Sequence, residues 1–572
     1  MLKFDCEYDV VVAGLGTAGA IAALVAGEAG LKVCGVEKLH IAGGAAVNGG
    51  VNCYYYGLPG GRFEQIDAAA KACYEDFAAG GLFHFDAKGM VLEQNLLAAG
   101  VDILYESAVV KVHLDADGKN VRGVSVNTGV GIRHIGCRVL IDGTGNGDIC
   151  ALAGAGFRLG RPSDGKCQPF SSIRAIRGEN HPQTINFDAG YVKCNDAADF
   201  TRAVIQSNAL HTQEECDLYF ITRLPGLREG RLIECDECRS AADILAGKPT
   251  KNRILGYGYA NFDDHSQDWA LADRISRNLM VIASLWGKLF CVPMTLEMLL
   301  PKGFDNLLVV GRALSVDHMT ASLLRMQPCM QKSGEIAARA AIQSLRRNIP
   351  LRAVDRELLA AELRESGCLN TNLPDCSFTA DEPELRKRMA SDKPGEAIWF
   401  MAADLPRYQD LLLELLNSGD ALAIPHSALA LALGGNDAGL PVLRELVRHG
   451  DDFLPASSCS QNQPRILAAI DLLGRFGHAE DAELLLEVMN NSDPLNLQPG
   501  SHLVRSLLEL GDALPDWRLK IRSSVEAILR KDRFDDVLYL KNSVRYKIYE
   551  PLKPSLKMLA ERHFTKWERA LA

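Results

Sequence analysis

Apolar and polar positions change their period along this chain, and each change predicts an element. Asp9 to Ala13 is an apolar run suited to a strand buried on both faces. It leads into Gly14-x-Gly16-x-x-Gly19, then an Ala-rich helical stretch, then a second strand, Lys32 to Val36, closed by Glu37. A Gly-rich, weakly polar loop runs from Ile41 to Pro59, and helical sequence follows to about Ala78 and again from Ala87 to Ala99. Short alternating segments predict strands at Ile103–Tyr105, Ala108–Leu114, Val121–Asn127 and Gly131–Ile135, with a turn at Asp115–Gly118. An apolar strand, Arg138 to Asp142, then ends in Gly143-Thr144-Gly145.

From about Gly160 to Leu289 the strand–helix–strand rhythm is lost, as in an inserted domain. It returns near Phe304 with a strand, Gly311-Arg312, and a long Ala-rich helix from about Gln327 to Arg347. Pro374, Pro383 and Pro394 break the charged stretch that follows, as in a linker. Beyond it the pattern is wholly helical, and the pairs Leu433-Gly434, Leu473-Gly474 and Leu510-Gly511 recur with a spacing near 40 residues. Such a period predicts stacked helix pairs of HEAT type. The expected organisation is an α/β fold with these units: 1–160 and 291–350, two parts of a Rossmann-type nucleotide domain; 161–290, an α+β insertion; 351–395, a linker; and 396–572, all-α repeats.

Composition narrows the function. The chain has 572 residues, 47% hydrophobic and 23% charged, with a net charge of -10. That balance suits a globular protein and opposes a general nucleic-acid binder, which needs a basic surface. No uninterrupted apolar run suits a membrane span. The first strand begins too early for a leader, and the 16 cysteines are scattered, so a reducing, cytoplasmic setting is expected.

The first βαβ unit carries the clearest chemistry. Gly14 allows a tight turn, Gly16 lets a pyrophosphate approach the backbone, and Gly19 lets the helix pack on the strand. The intervening Thr17 and Ala18 open the helix, whose free N–H groups suit phosphates. Glu37, with Lys38 beside it, lies about 20 residues downstream, where a carboxylate accepts ribose hydroxyls.

Three separated motifs resemble the FAD-dependent oxidoreductase family, related to glutathione-reductase-type flavoproteins and to fumarate reductase and succinate dehydrogenase flavoprotein subunits. They are the βαβ unit with Glu37-Lys38, the segment Val139 to Ala155, and Leu299 to Ser315 followed by Leu323 to Ala341. The resemblance spans roughly residues 8 to 365 and includes the arginine-rich segment Arg223 to Gly247. It implies FAD as the cofactor, because the interrupted βαβ series matches that superfamily's layout. Glu37 would then bind the adenosine ribose, and Gly43, Gly44 and Ala45 would lie along the pyrophosphate. Gly143, Thr144 and Gly145 would lie near the adenine side, and Gly311 and Arg312 by the pyrophosphate or ribityl chain. The helix after Pro328 would aim its positive end at the flavin, with Arg325 at the cofactor or its reduced charge. No His stands at the spacing of a covalent flavin link in GGAAVNGGVN, so noncovalent FAD is expected.

A flavin needs a substrate anchor and an acid or base beside it. Arg228 and Arg231, three apart, are candidates for a guanidinium fork on a carboxylate, or for an internal Arg–Glu network. His265, after Asp263-Asp264, and His318, after Asp317, are candidate proton carriers, or plain surface and packing residues. Tyr54, Tyr55 and Tyr56 would line the flavin or simply pack. Cys235-x-x-Cys238 encloses two acids, which oppose a reactive dithiol, and no metal site is expected. Two hydride-transfer chemistries stay open: oxidation of a sugar- or polyol-like hydroxyl, and reduction or formation of a C=C bond beside a carboxylate. An electron partner is required in either case. A flavin-binding scaffold is the alternative, acting on a homo-oligomer or protein partner through the repeats.

Overall fold

A computed structural model describes residues 3–74, 84–177, 182–212, 218–222, 224–265, 268–456, 462–491, 497–531, 536–541, 544–549 and 552–570. The predicted continuation of helix from residue 75 to about Ala78, and Arg223, lie outside these residues.

The chain opens with β1 (Cys6–Ala13), α1 (Gly19–Glu28) and β2 (Val33–Val36), followed by α2 (Phe63–Cys73), α3 (Phe85–Ala98) and β3 (Asp102–Leu104). A meander follows: β4 (Ala108–Leu114), β5 (Val121–Thr128) and β6 (Gly131–Asp142). The two strands expected between Gly131 and Asp142 are one 12-residue strand. Its first half pairs antiparallel with β5, and its second half runs parallel to β1, Val10 opposite Val139 and Ala13 opposite Asp142. The edge released by β5 is taken by β14 (Leu307–Val309), parallel to Leu140–Asp142. The sheet therefore joins pieces far apart in sequence, in the order β3-β2-β1-β6, with β5-β4 and β14 both on β6. The apolar run predicted a strand covered on both faces, and Val10, Val11 and Val12 are fully buried.

Outside this sheet lie α4 (Asp148–Ala153), β7 (Phe157–Leu159), and a three-stranded sheet of β8 (Ser172–Arg177), β9 (Pro182–Phe187) and β10 (Leu218–Ile221) with α5 (Ala197–Thr212). β11 (Arg231–Ile233) pairs with β7, and β12 (Ile254–Ala260) pairs with β13 (Phe290–Thr295), separated by α6 (Ala241–Leu245) and α7 (Arg274–Arg277). The chain returns through β14, α8 (His318–Leu324) and α9 (Gln327–Arg347), which packs along α1. Gly334 makes that approach close: a Cβ there would sit 2.2 Å from the Ala18 carbonyl oxygen.

The 351–395 stretch is more than a linker. It holds helices Arg356–Glu365 and Glu382–Met389 and buries Cys368 and Leu369. In the tail, helices Ala423–Leu433, Arg465–Leu473 and Leu497–Ala513 stack in one layer. Helices Leu440–Arg448, Ala479–Asn491 and Arg518–Leu529 stack in a second. The Leu-Gly pairs mark tight crossings, since a Cβ on Gly474 would lie 2.8 Å from the Ser506 Cα and one on Gly511 2.4 Å from the Trp567 ring. The tail is not all helical, because strands Asp536–Lys541 and Val544–Tyr549 form a hairpin. Alternating aromatic and aliphatic residues there favour strands over a helix.

One apolar core runs from Val10 to Trp567 through both regions. Arg277, 1% exposed, fastens them, its guanidinium donating to Asp471 (2.6 Å) and Glu509 (3.0 Å) of the tail.

Candidate functional site

The site starts where β1 ends. Gly14 turns with a φ of +88°, which L side chains avoid, and its N–H donates to the Val36 carbonyl at 2.7 Å. A Cβ on Gly19 would stand 1.9 Å from the Gly14 carbonyl oxygen, so helix and strand meet only through glycine. Gly16 differs: a Cβ there would meet nothing closer than 3.8 Å, because the position faces a cleft. The strand end of β6 closes on this turn, with the Gly143 N–H donating to the Ala13 carbonyl at 2.8 Å.

Two buried carboxylates hold the loops. Glu37 accepts the N–H groups of Leu15 (2.8 Å) and Leu39 (3.0 Å). Burial raises its pKa, and those two N–H groups act against the rise. Its oxygens thus brace the glycine turn at the end of the cleft. Asp142, wholly buried, accepts from Thr144 N–H and Oγ1 (3.0 and 2.7 Å) and from the N–H groups of Ile149 (3.0 Å) and Cys150 (2.9 Å). It satisfies two free donors at the start of α4 without being that helix's cap residue.

The cleft contains about 1090 Å³ of empty space, solvent at its mouth included. Gly14, Gly16, Thr17 and Ala18 form one wall, Glu37 and Lys38 one end, and Gly44 and Ala45 a side. Gly143, Thr144 and Gly145 face them, with Gly311 and Arg312 beyond. Gly19 and Gly43 stand behind this lining. Pro328 packs where a Cβ on Gly57 would fall, and Arg325 turns to Asp263.

Arg312 tests what the cleft suits. Its guanidinium donates to the Leu227 carbonyl at 2.7 Å, and its buried Nε has no partner. Among the described residues no carboxylate lies within ion-pair distance, and burial lowers its pKa to about 10. A half-buried guanidinium with no ion-pair partner among the described residues, in an elongated cleft, fits an anion such as a dinucleotide pyrophosphate. Beside it, α9 begins without a side-chain cap, and Gln327 donates to the Val51 carbonyl (2.5 Å) while its buried Oε1 is unpartnered. The free N–H groups of that helix end favour negative charge.

Past the Leu227 end of the cleft stands a buried polar cluster. His265 lies between two carboxylates, Nδ1 2.7 Å from Asp188 and Nε2 3.0 Å from Asp263. Arg228 donates to Asp188 and to the Pro169 carbonyl (2.7 Å), and Arg325 donates to Asp263 at 2.8 Å. Burial opposes charge on His265, as does Arg228, but Asp263 and Asp188 outweigh them and raise its pKa. Burial also opposes charge on the two aspartates, and their cationic neighbours hold both well below the usual carboxylate range.

A second chain runs alongside. His318 Nδ1 is 2.8 Å from Glu229, and Nε2 is 3.2 Å from the hydroxyl of Tyr191, which donates to Asp264. Burial works against the imidazolium, but Glu229 and Asp264 outweigh it and raise His318 to about 9. Asp264 itself is raised to about 6, by burial first, while His318 and the Tyr191 hydrogen bond act against the rise.

The expected residues thus divide. Arg228, His265, His318 and Arg325 come together. Arg231 does not: it leaves on β11 to pair with Asp148 at 2.6 Å, so no fork forms with Arg228. Tyr54 is tied to Lys88 (2.8 Å) and Gln331 (2.9 Å), whereas Tyr55 is 66% exposed. Cys235 is buried and Cys238 exposed, and both are free thiols. Asp188, Tyr191, Glu229 and Asp264 carry the cluster without a local motif, although Glu229 and Asp264 lie next to flagged residues. Among the described residues no helix is long and apolar enough to cross a membrane.

No curated protein matches the chain. Among solved structures it is similar to a geranylgeranyl bacteriochlorophyll reductase-like protein of Thermoplasma acidophilum (14% identity, 77% of this chain and 99% of that one, TM-score 0.35). It is also similar to the OxyS anhydrotetracycline hydroxylase of Streptomyces rimosus (15%, 74% and 76%, TM-score 0.33). A third is a flavoprotein/dehydrogenase of Cytophaga hutchinsonii (14%, 75% and 93%, TM-score 0.31). A sequence model described as FAD dependent oxidoreductase matches residues 9–221 and 192–364, which together run over more than half of the 572 residues. The chain belongs to the FAD-dependent oxidoreductase family and is an enzyme that uses FAD.

Proposed function

We propose that this enzyme transfers a hydride between FAD and a small organic acid, at a C=C bond beside a carboxylate. The observation that supports this reading is the setting of His265. Both of its ring nitrogens lie within hydrogen-bond reach of carboxylates that only accept, at 2.7 and 3.0 Å, so both nitrogens carry protons. Such an imidazolium cannot take a proton from an alcohol. His318 is held in the same state by Glu229 and by a hydroxyl already committed to Asp264. The expectation that either histidine serves as a base for hydroxyl oxidation therefore loses its footing.

The charges favour an anionic substrate. Among the described residues, Arg228, Arg325 and His265 gather around Asp188 and Asp263. Arg325 keeps a buried, unpartnered Nε beside the α9 N-terminus. These groups bind and orient a carboxylate, while His318, backed by Tyr191 and Asp264, holds a proton at Nε2. FAD supplies the hydride chemistry when bound, noncovalently in this reading. The resemblance of the three motifs to those of fumarate reductase flavoproteins is in keeping with this chemistry. The tail reads as degenerate HEAT-like helix pairs, and its packing onto Arg277 supports a structural part over a recruiting scaffold.

The test is spectroscopic. Anaerobically reduced protein is mixed with α,β-unsaturated acids, and oxidised protein with alcohols and sugars. Reoxidation by an enoate is expected. Bleaching by alcohols alone overturns the proposal, and silence toward both classes favours the scaffold.

A further inference from the structure

We propose that Cys291 and Cys376 form a reversible disulfide that fastens the strap between the flavin core and the helical tail. Cys291 lies on β13, whose only strand partner among the described residues is β12. Cys376 lies on the irregular stretch 370–380, which crosses from helix Arg356–Glu365 to helix Glu382–Met389. The two sulfurs, 85 positions apart in sequence, stand 3.6 Å apart. Both thiols also reach one acceptor, the Pro374 carbonyl, at 3.8 Å from Cys291 and 3.6 Å from Cys376. They are partly exposed, unlike the buried Cys235, Cys329 and Cys368. Beside Cys376 opens a cavity with about 870 Å³ of empty space, open solvent included, lined by Tyr259, Lys288, Asp375, Arg388 and Glu396, through which a small oxidant enters. The sulfurs already touch, and the strap carries no ladder hydrogen bonds, so side-chain rotation and a small strap movement bring them to bonding distance.

The oxidant is a peroxide. The Cys376 sulfur attacks one peroxide oxygen, an S–O bond forms, the O–O bond breaks, and hydroxide leaves with a proton as water. The Cys291 sulfur then attacks the resulting sulfenic sulfur, an S–S bond forms, and a second water departs. The two sulfurs lose two electrons and the two peroxide oxygens gain them. Cys376 is the thiol oxidised first, because it borders the cavity, whereas burial and its Cys376 neighbour push the Cys291 thiol up. A low-molecular-weight dithiol reverses the bond by exchange.

The holoprotein is treated with hydrogen peroxide, its remaining thiols are alkylated, and its peptides are mapped by mass. A linked pair of peptides joined through Cys291 and Cys376 is expected, with loss of two hydrogens from the intact mass and recovery on dithiothreitol treatment. Protease cleavage inside residues 370–380 slows after oxidation in the wild type and not in Cys291→Ser. The proposal is overturned if both cysteines remain alkylated after peroxide, or if Cys376 is found bonded to a different cysteine. The mapping uses the wild-type protein, so it decides the question even where a variant folds poorly.

Discussion

Gly16 and Gly19 lie three residues apart in one turn, yet the same added methyl group acts differently at each. At Gly19 a Cβ would fall 1.9 Å from the Gly14 carbonyl oxygen and 3.4 Å from the Gly143 Cα. Backbone must move, so α1 lifts off β1, and such overpacking costs about 1–3 kcal/mol or more. At Gly16 the nearest atoms, the Gly143 oxygen and the Gly44 Cα, are both 3.8 Å from the new Cβ, an ordinary contact. Nothing in the protein resists that methyl group, which projects into space the cofactor needs. Gly16→Ala should therefore fold with a melting temperature near that of the wild-type apoprotein and bind FAD about 100-fold more weakly, equivalent to about 3 kcal/mol. Gly19→Ala should melt lower even without cofactor. The assay pairs flavin absorbance per mole of protein with thermal melting of deflavinated samples. Full flavin content in Gly16→Ala, or an unchanged apoprotein melting temperature in Gly19→Ala, would refute the placement of the cleft.

Arg312→Met removes a cation that forms no ion pair among the described residues, so it should leave the apoprotein about as stable as the wild type and lower flavin retention. Arg228→Met leaves the buried Asp188 with His265 but without the Arg228 guanidinium, and melting should show a loss of about 1.5–3 kcal/mol. Arg277→Ala takes one of two arginines from the buried Asp471, which keeps Arg475, and aggregation or a loss of about 1.5–3 kcal/mol is expected. For His318 the folded pKa of about 9 exceeds its ordinary 6.5, so its contribution is full below 6.5 and is lost as pH rises through 9. That is about 3 kcal/mol, and His318→Gln should flatten the alkaline fall in melting temperature. Asp264, raised from 3.8 to about 6, contributes fully below 3.8 and loses that contribution as pH rises through 6, so Asp264→Asn should flatten the curve only in that acidic window.

The nucleotide-binding half was readable because its signals are local. Gly14, Gly16, Gly19 and Glu37 lie on one short βαβ unit, where spacing alone sets their neighbours. The helix from Gln327 to Arg347 was equally plain, since its periodicity is long and uninterrupted. The sequence splits strand β6 in two because its burial changes midway, running from exposed to buried beside β5, opening again at Cys137 and Arg138, and continuous from Val139 to Asp142 between β1 and β14. That change records a switch of neighbours, which no window of sequence contains. The polar cluster was half readable for a similar reason. His265 and His318 stood out as ionisable groups near expected loops, but Asp188 and Tyr191 reach them from 77 and 127 positions away. Without those partners a histidine reads as a base, and with them it reads as a cation. The hairpin after residue 535 was lost in a basic, helix-rich context, although Val537, Tyr539, Tyr546 and Ile548 alternate as strand residues do.

The end of β6 explains why the two nucleotide-binding segments need one another. Asp142 uses its side chain to shape the Thr144 turn and the start of α4, and its carbonyl accepts the Val310 N–H at 3.0 Å. Val310 leads directly to Gly311 and Arg312. One residue at the end of one strand therefore fixes both the turn facing Gly14 and the arginine that needs an anion. The wall carrying Arg312 exists only after β14 has docked, more than 160 positions after β6. Anything that binds across the cleft draws on contacts the unfolded chain does not have, so cofactor binding and folding are thermodynamically linked. The tail enters the same balance through Arg277, which lies between β12 and β13, the ribbon whose far end leads to Asp263, Asp264 and His265. The contacts of Arg277 with Asp471 and Glu509 thus tie the helical stack to the ribbon that leads to those three groups.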